Sequence, residues 1–179
     1  MYDLTGVDAG GFDEVTINNA VFQNVNAAST GSGVINSFVR VGSNDAIEQG
    51  YNSDFRSNQE PKYPEFDEDK SAVYNHSLLL TSVPIVNLDG ILYREFLLDI
   101  NQNKSGEGRY LSLDSLEIYM ANVGDNHGYP NLGTLIYDLD TTEDNWIVLD
   151  YSLNNGSGSG DLFAYIPNSL FNTGSYVYL

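Results

Sequence analysis

The amino-acid sequence predicts an all-β protein, folded as an antiparallel β-sandwich or jelly roll. Short segments with apolar residues at alternate positions recur along the chain, and clusters of Gly, Asn, Asp and Ser separate them. The 13 Tyr and 8 Phe residues fit half-buried, pleated sheets. No segment keeps a helical repeat over 12 or more residues. Many short strands divided by turn signals are typical of sandwiches and jelly rolls.

The predicted strands follow from this alternation. Residues 14–25 alternate Val15, Ile17 and Val21 and are predicted to form one strand. In residues 83–100 the dipeptide Asp89-Gly90 is typical of a type I′ turn, so a hairpin is expected around it. The other predicted strands are 34–42, 110–123, 133–140, 145–153, 161–167 (followed by one helical turn) and 175–179.

The length of the chain favours a single β-sandwich domain, residues 1–179, because 179 residues can bury one sizeable core. Residues 1–14 are rich in Gly and Asp and are predicted to be irregular. Residues 42–74 show little periodicity and are predicted to form a long polar loop, a kind of loop that is usually functional or mobile. Within that loop, the acidic run "EFDEDK" is interpreted as a solvated segment.

The charge balance narrows the choice of partners. With 25 acidic and 7 basic residues the net charge is −18, which excludes nucleic acid and disfavours anionic membrane surfaces. It favours cations, or simply a soluble surface. The absence of Cys excludes disulfides and thiolate metal sites. No apolar run is long enough to span a membrane. The start "MYDLTGVDAGGFDEV" lacks signal-peptide features, so the sequence is expected to be the mature form of an extracellular protein.

The stretch "FLLDINQNKSGEG" is the first candidate metal site. Asp99, Asn101, Asn103 and Glu107 repeat the alternate spacing of a calcium loop, and calcium is bound by oxygen ligands of these types. The match to an EF-hand is imperfect, because the glycine and the final glutamate are displaced and no helices are expected. The alternative is a polar hairpin in which Asn and Asp side chains bond their own backbone.

Two further acidic groups are candidates for calcium. In "YDLDTTEDNW" the acids Asp138, Asp140 and Asp144 lie close together in sequence, and such groups repel unless they are paired or metal-bound. Asp150 and Asp161 flank the flexible segment "NNGSGSG". Few bases are available to pair with any of these acids, so calcium is predicted as the cofactor.

Aromatic side chains supply candidates for sugar binding. Tyr129 and Trp146 are predicted to bind a ligand by stacking, although Trp146 also fits a core position. An enzyme is not expected. His76 and His127 lie in unrelated segments, and neither H-E-x-x-H nor G-x-S-x-G occurs. His76 is expected to be packed or hydrogen-bonded, and a hydrolase remains a minor alternative.

Several phrases point to one family. They are "GVINSFVRV" with "EQGYN" soon after, "LLLTSVPIV" with "YREFLLDINQ", "LSLDSLEIY" and "LGTLIYDLDTTEDNWIVLDYSLNNGSGSGDLFAYIP". In order and spacing they resemble exported bacterial proteins that often end in the sorting tail called PEP-CTERM, over most of residues 33–179. The resemblance implies export and a matrix or cell-surface setting, and it supplies no catalytic residues. This sequence departs from the family in lacking the tail itself.

Taken together, these patterns predict an extracellular structural or adhesive module that is stabilised by calcium. Its partner is expected to be a second copy of itself, because strands at the two ends of the chain could pair edge to edge into a homo-oligomer or filament. The alternative is a carbohydrate-binding module with polysaccharide as its partner.

Overall fold

The computed structural model describes residues 1–6, 12–24, 36–43, 46–58, 62–103, 105–154 and 160–179. Within them the strands, in chain order, are β1 Tyr2–Asp3, β2 Glu14–Ile17, β3 Ala20–Asn24, β4 Leu78–Leu79, β5 Ile85–Leu88, β6 Ile91–Leu98, β7 Tyr110–Leu113, β8 Glu117–Ala121, β9 Thr134–Asp138, β10 Ile147–Asp150, β11 Leu162–Pro167 and β12 Tyr176–Tyr178. Helix in the described residues is confined to 3₁₀ turns at Leu80–Ser82, Glu107–Arg109 and Asn168–Leu170.

The prediction of an all-β, antiparallel, sandwich-like fold is confirmed. The described strands form sheets of three, five and four strands, in the orders β1-β10-β7, β2-β3-β11-β6-β5 and β4-β12-β8-β9. The pairs with a resolved register are antiparallel except β1 with β10. Among the described residues, no helix has the length and hydrophobicity needed to cross a membrane.

The chain divides into two compact units. Unit 1 comprises Met1–Ile35, Pro84–Leu116 and Asp138–Leu170, and unit 2 comprises Asn36–Val83, Glu117–Tyr137 and Phe171–Leu179. Unit 1 contains the three-stranded and five-stranded sheets, and unit 2 contains the four-stranded sheet apart from Asp138. The prediction of one domain over residues 1–179 stays a prediction.

The core of unit 1 is built around β11, which lies between β3 and β6. Ala164 of β11 is opposite Phe22 on one side and Phe96 on the other. Because directly opposed residues point to the same face, these side chains form one buried layer. Phe22 is fully buried, as are Ile166 of β11 and Ile147 of the three-stranded sheet.

The core of unit 2 is aromatic. Its central cluster of buried side chains consists of Tyr51, Tyr63, Tyr119, Leu132 and Tyr178. Two of these tyrosines come from the region that was predicted as a long polar loop. In its described part, that region makes isolated bridges, Val41 with Glu68 and Ser57 with Tyr63, and still contributes buried side chains.

Several predicted strands need correction. Residues 14–24 form the hairpin β2–β3 rather than one strand, because Asn18 and Asn19 both adopt positive φ. Asn tolerates this left-handed conformation better than most residues, which allows an Asn-Asn turn of the type I′ class. The hairpin predicted around Asp89-Gly90 is confirmed as β5–β6, with φ of 51° at Asp89 and 89° at Gly90.

Two other predictions of single strands are wrong. The described part of 34–42 contains no strand beyond the bridge at Val41. The segment 110–123 divides into β7 and β8, which belong to different sheets and to different units. Its apolar residues move from odd positions, Leu111 and Leu113, to even positions, Leu116 and Ile118, so the phase of the alternation does change at the break.

The C-terminal strand is not available for edge pairing as predicted. In the described residues, β12 lies inside its sheet, with β4 on one side and β8 on the other. Both rows of its backbone hydrogen-bonding groups therefore face strands of the same chain, whereas β1 pairs on one side with β10.

Candidate functional site

Tyr129 lies at the tip of the connection between β8 and β9 in unit 2. The backbone N–H of Asn131 donates to the carbonyl of Gly128 over 2.9 Å, which closes a four-residue turn around Tyr129-Pro130. Gly128 has a φ of 82°, a conformation that favours glycine. The turn therefore projects Tyr129 outward, and its side chain is 43% exposed.

Two carboxylates hold Tyr129 in place. Its backbone N–H donates to Oε2 of Glu65 over 3.2 Å, and its hydroxyl donates to Oε1 of Glu117 over 3.0 Å. Glu65 also accepts a hydrogen bond of 2.7 Å from the Tyr51 hydroxyl, and Glu117 accepts one from Tyr119. An exposed tyrosine usually rotates freely, whereas here both ends of the residue are fixed.

The connection itself is anchored from within unit 2. Asn126 receives a hydrogen bond of 2.7 Å from Ser53 at its carbonyl, and its side-chain amide donates to the carbonyl of Leu132 over 2.7 Å. Its backbone N–H donates to the hydroxyl of the buried Tyr178 over 3.0 Å. Burial raises the pKa of Tyr178 to about 12, so this hydroxyl keeps its proton at neutral pH.

A chain of ring contacts connects Tyr129 to the core of unit 2. The Tyr129 ring meets Phe66 at 6.0 Å between centroids and an angle of 75°. Phe66 meets Tyr51, Tyr51 meets Tyr63, and Tyr63 meets Phe55, each at 5.6–6.3 Å. Edge-to-face contacts of this kind stabilise aromatic pairs beyond the area they bury. We call Glu65, Phe66, Glu117 and Tyr129 the Tyr129 site.

The acidic run "EFDEDK" is not simply a solvated segment, which corrects the prediction. Glu68 is 5% exposed, and its carboxylate accepts hydrogen bonds from the backbone N–H groups of Tyr51 and Phe66. Burial raises its pKa. Gly50 makes room for it, since a Cβ there would lie 2.6 Å from Cγ of Glu68. Glu68 thus fixes the backbone on which Tyr51 and Phe66 are carried.

The histidines and the second aromatic candidate lie outside the Tyr129 site as defined. His127 stacks on Phe55 at 3.5 Å, and Nδ1 of His76 donates to the carbonyl of Ser77 over 2.9 Å, which confirms that His76 is hydrogen-bonded. Trp146 is half-buried and belongs to unit 1, whereas Tyr129 belongs to unit 2. The two predicted sugar-stacking residues are therefore in different units.

The predicted calcium ligands all lie in unit 1. In the first group, Asp99, Asn101, Asn103 and Glu107 are exposed, and Glu107 begins the 3₁₀ turn Glu107–Arg109. The backbone of this loop is closed by a hydrogen bond of 3.1 Å from Asn103 N–H to the carbonyl of Gly108.

Two acids of the second group accept hydrogen bonds from nearby backbone N–H groups. Asp138 accepts a hydrogen bond of 2.8 Å from the N–H of Asp140, and Asp140 accepts one of 2.8 Å from the N–H of Asn145. Asp144 is exposed. Backbone capping of this kind gives Asp138 and Asp140 a structural role that needs no cation.

The third group is divided by the fold. Asp150 accepts a hydrogen bond from the N–H of Ser152 and forms an ion pair of 3.2 Å with Nε of Arg109. Asp161 lies at the start of β11, where its N–H donates to the carbonyl of Leu98, the residue before Asp99. The structure thus brings Asp161 towards the first group, at Asp99.

Asp161 is the least satisfied of these acids. It is 5% exposed; Oδ2 accepts a hydrogen bond of 2.8 Å from the N–H of Ile100, and Oδ1 is buried without a partner among the described residues. Burial, together with the charge of Asp99, raises the pKa of Asp161 to about 7. Within the described parts of the chain, no group of three His, Cys, Asp or Glu side chains is placed to hold a metal.

Sequence reasoning identified Tyr129 but missed its partners in the Tyr129 site. Glu65 and Phe66 lie 64 and 63 residues before Tyr129, and Glu117 belongs to a strand. One available signal was the pair of Tyr-Pro dipeptides: the first, 63–64, directly precedes Glu65, and the second, 129–130, contains Tyr129.

Comparison of the chain with protein-family models, curated proteins and solved structures gave no match.

Proposed function

We propose that this protein is an extracellular β module that binds polysaccharide through the Tyr129 site. The observation that carries the proposal is an exposed tyrosine ring fixed at both ends, by Glu65 at its backbone and Glu117 at its hydroxyl. Sugar rings pack their apolar C–H faces on exposed aromatic rings, and a ring that is already ordered loses little conformational freedom on binding.

The carboxylates support the same function. An ionised carboxylate offers about four lone-pair positions. The tyrosine hydrogen bonds of Glu65 and Glu117 use part of that capacity, which leaves acceptor positions beside the ring for sugar hydroxyls. Charged acceptors make shorter and stronger hydrogen bonds than neutral ones. The site therefore combines an apolar surface with orienting acceptors, as sugar recognition requires.

The test compares two tyrosines in glycan-array binding followed by calorimetry. Tyr129→Ala is expected to lower affinity at least about tenfold, because it removes the stacking surface. Tyr74→Ala is the matched control, since Tyr74 is 42% exposed in the same unit and lies under Arg40. Equal losses in both variants, or no binding to any glycan by the unmodified protein, would contradict the proposal.

A second candidate function is a structural or adhesive module stabilised by calcium. The observation that favours it is the buried Oδ1 of Asp161, with Asp99 close enough to raise its pKa. A cation would supply the missing partner, with Asn101 and Asn103 close in sequence as further oxygen ligands. Ligand binding to the folded state stabilises it, so calcium should raise the melting temperature by about 2–4 °C over chelator. The shift should vanish in Asp161→Asn.

Self-association belongs to this second candidate. Among the described outer strands, β5 is the most suited to pair with a second copy, because Ile85–Leu88 carries no charge and Ile85 is 51% exposed. Light scattering after size exclusion, with calcium and then with chelator, tests it. Ile85→Lys should leave a monomer under both conditions if β5 is the interface. Export and a surface or matrix setting are part of the proposal and rest on the sequence pattern.

A further inference from the structure

The two exposed rings of the Tyr129 site stand nearly perpendicular to each other. Tyr129 is 43% exposed and Phe66 is 36% exposed, and their planes meet at 75° with 6.0 Å between centroids. Both orientations are determined by the fold. Tyr129 is held by its two carboxylates, and Phe66 lies edge-on against the buried Tyr51. The rings therefore form a corner rather than a flat platform.

The shape of a corner selects the physical form of the ligand. A single sugar ring can place one face on Tyr129 and its edge against Phe66, and so contact both side chains at once. A flat crystalline polysaccharide presents a plane, which can lie on one of two perpendicular rings but not on both. Aromatic contact area determines much of the stabilisation at such a surface. A free chain is therefore stabilised by contact with both rings, whereas a crystal face is stabilised by contact with only one.

The charges around the corner select the chemistry of the ligand. Carboxylate oxygens lie 3.2 Å from the backbone nitrogen and 3.0 Å from the hydroxyl of Tyr129, so a carboxylate lies at each end of the residue. The protein as a whole carries −18. A uronate stacked on Tyr129 would face two like charges within a few ångströms, and that repulsion weakens as salt is added.

We propose that the Tyr129 site takes a single soluble chain of an uncharged polysaccharide, and that it discriminates against both crystalline polysaccharide and polyuronates. This inference rests on the proposed sugar-binding function and narrows it to one class of ligand. Phe66 sets the form of the ligand by closing the corner, and Glu65 and Glu117 set its charge.

The experiment uses the full chain and three kinds of probe. Titration calorimetry measures binding to neutral hexasaccharides of glucose, mannose and xylose and to a hexauronate, at low and at physiological salt. Sedimentation with microcrystalline cellulose or chitin measures binding to flat surfaces. We expect at least one neutral hexasaccharide to bind, the hexauronate to bind at least about tenfold more weakly at low salt, and this gap to narrow with salt.

Two variants test separately how the site selects the physical form of the ligand and how it selects the charge of the ligand. Phe66→Ala removes one of the two rings. It should lower the affinity for the neutral hexasaccharide about tenfold without changing the preference for the neutral ligand over the hexauronate. Glu117→Gln keeps the size of the side chain and an acceptor for the Tyr129 hydroxyl but removes the negative charge. The affinity for the hexauronate should therefore rise severalfold relative to that for the neutral ligand. Circular dichroism checks that both variants are folded.

The outcomes distinguish the two proposals. If no probe binds, the sugar-binding function itself fails. If sugars bind but the hexauronate matches the neutral ligands, or crystalline polysaccharide binds as strongly as free chains, then the class of ligand assigned here is wrong while sugar binding stands. Unchanged discrimination in Glu117→Gln would also overturn the role of charge.

Discussion

In unit 1 the fully buried side chains Phe22, Ile147 and Ile166 are hydrocarbon, whereas the core cluster of unit 2 contains four tyrosines. Each tyrosine hydroxyl in that cluster reaches a polar partner in a connecting segment or at a strand end, as Tyr51 does with Glu65 and Tyr178 does with the carbonyl of Val123. A buried hydroxyl needs such a partner, because leaving it unpaired costs free energy.

The Tyr129 site depends on the core of its own unit. In unit 2 the rings that fill the interior also orient the exposed ring of Tyr129, through Phe66 and the two carboxylates. In unit 1 the acids at the strand ends rely on local partners, as Asp150 does on Arg109 and Asp161 on the N–H of Ile100. Asp161 still has one buried oxygen without a partner among the described residues. Changes in the two units should have separable effects.

The largest effect is expected from Phe22→Ala. Truncating a fully buried phenylalanine should lower the free energy of unfolding by about 3–5 kcal/mol. Urea denaturation followed by circular dichroism measures the loss. Calorimetry on the folded variant should show unchanged sugar affinity, because Phe22 belongs to unit 1. A loss of affinity comparable to that of Tyr129→Ala would show that the two cores are not separable.

Asp161→Asn should change how stability depends on pH. Below pH 3.8 the carboxyl is protonated in both states, and from there to about pH 7 only the unfolded state releases its proton, so ionisation favours unfolding. Stability contributed by this group therefore falls as the pH rises and stays low above pH 7. Each pKa unit corresponds to about 1.4 kcal/mol, which gives a decline of up to about 4 kcal/mol.

The measurement is urea denaturation across that pH range, comparing the unmodified protein with Asp161→Asn. The decline should be absent from the variant and retained in Asp144→Asn, whose side chain is exposed. Parallel curves for all three proteins would show that Asp161 has a partner that lowers its pKa. Calcium should reduce the decline if the second candidate function is correct.

Tyr51→Phe tests the polar core of unit 2. The variant loses the hydrogen bond to Glu65 and the acceptor for the Gly128 N–H, so the free energy of unfolding should fall by about 1–3 kcal/mol. Sugar affinity should fall as well, since Gly128 precedes Tyr129. The control is Tyr165→Phe in β11, a buried tyrosine of unit 1, which should leave sugar affinity unchanged. If Tyr51→Phe and Tyr165→Phe bind sugar with equal affinity, the Tyr129 site does not depend on the core of unit 2.

The smallest effect is expected from Tyr129→Phe. Stability should change by less than about 0.5 kcal/mol, because the residue is exposed. Affinity for a neutral sugar should fall about threefold to tenfold, since the ring loses its hydrogen bond to Glu117 but keeps its surface. Calorimetry on this variant measures how much the fixed orientation of the ring contributes to affinity, and calorimetry on Tyr129→Ala measures the contribution of the whole ring.

The architecture could be predicted from the sequence wherever residues close together in the chain determine it. The turn dipeptide Asp89-Gly90 specified a hairpin, and that hairpin is present. The Asn-Asn turn in 14–24 and the break between β7 and β8 were missed, because each is a short interruption inside a long apolar stretch, marked only by a change of phase from odd to even positions. The acids were recognised as a group, but whether each is capped, paired or isolated depends on neighbours that are distant in sequence, as Arg109 is for Asp150.

Composition and periodicity were enough to predict an all-β, acidic chain without disulfides, and the aromatic residues gave Tyr129 as a candidate for ligand binding. Only the tertiary structure decided which groups surround that residue. Glu65 and Phe66 come from one segment of unit 2 and Glu117 from another, and packing against buried tyrosines brings them together. The physical reason is that periodicity reports which face of a strand is apolar, whereas ring contacts and hydrogen bonds between segments depend on how the strands are ordered in the sheet.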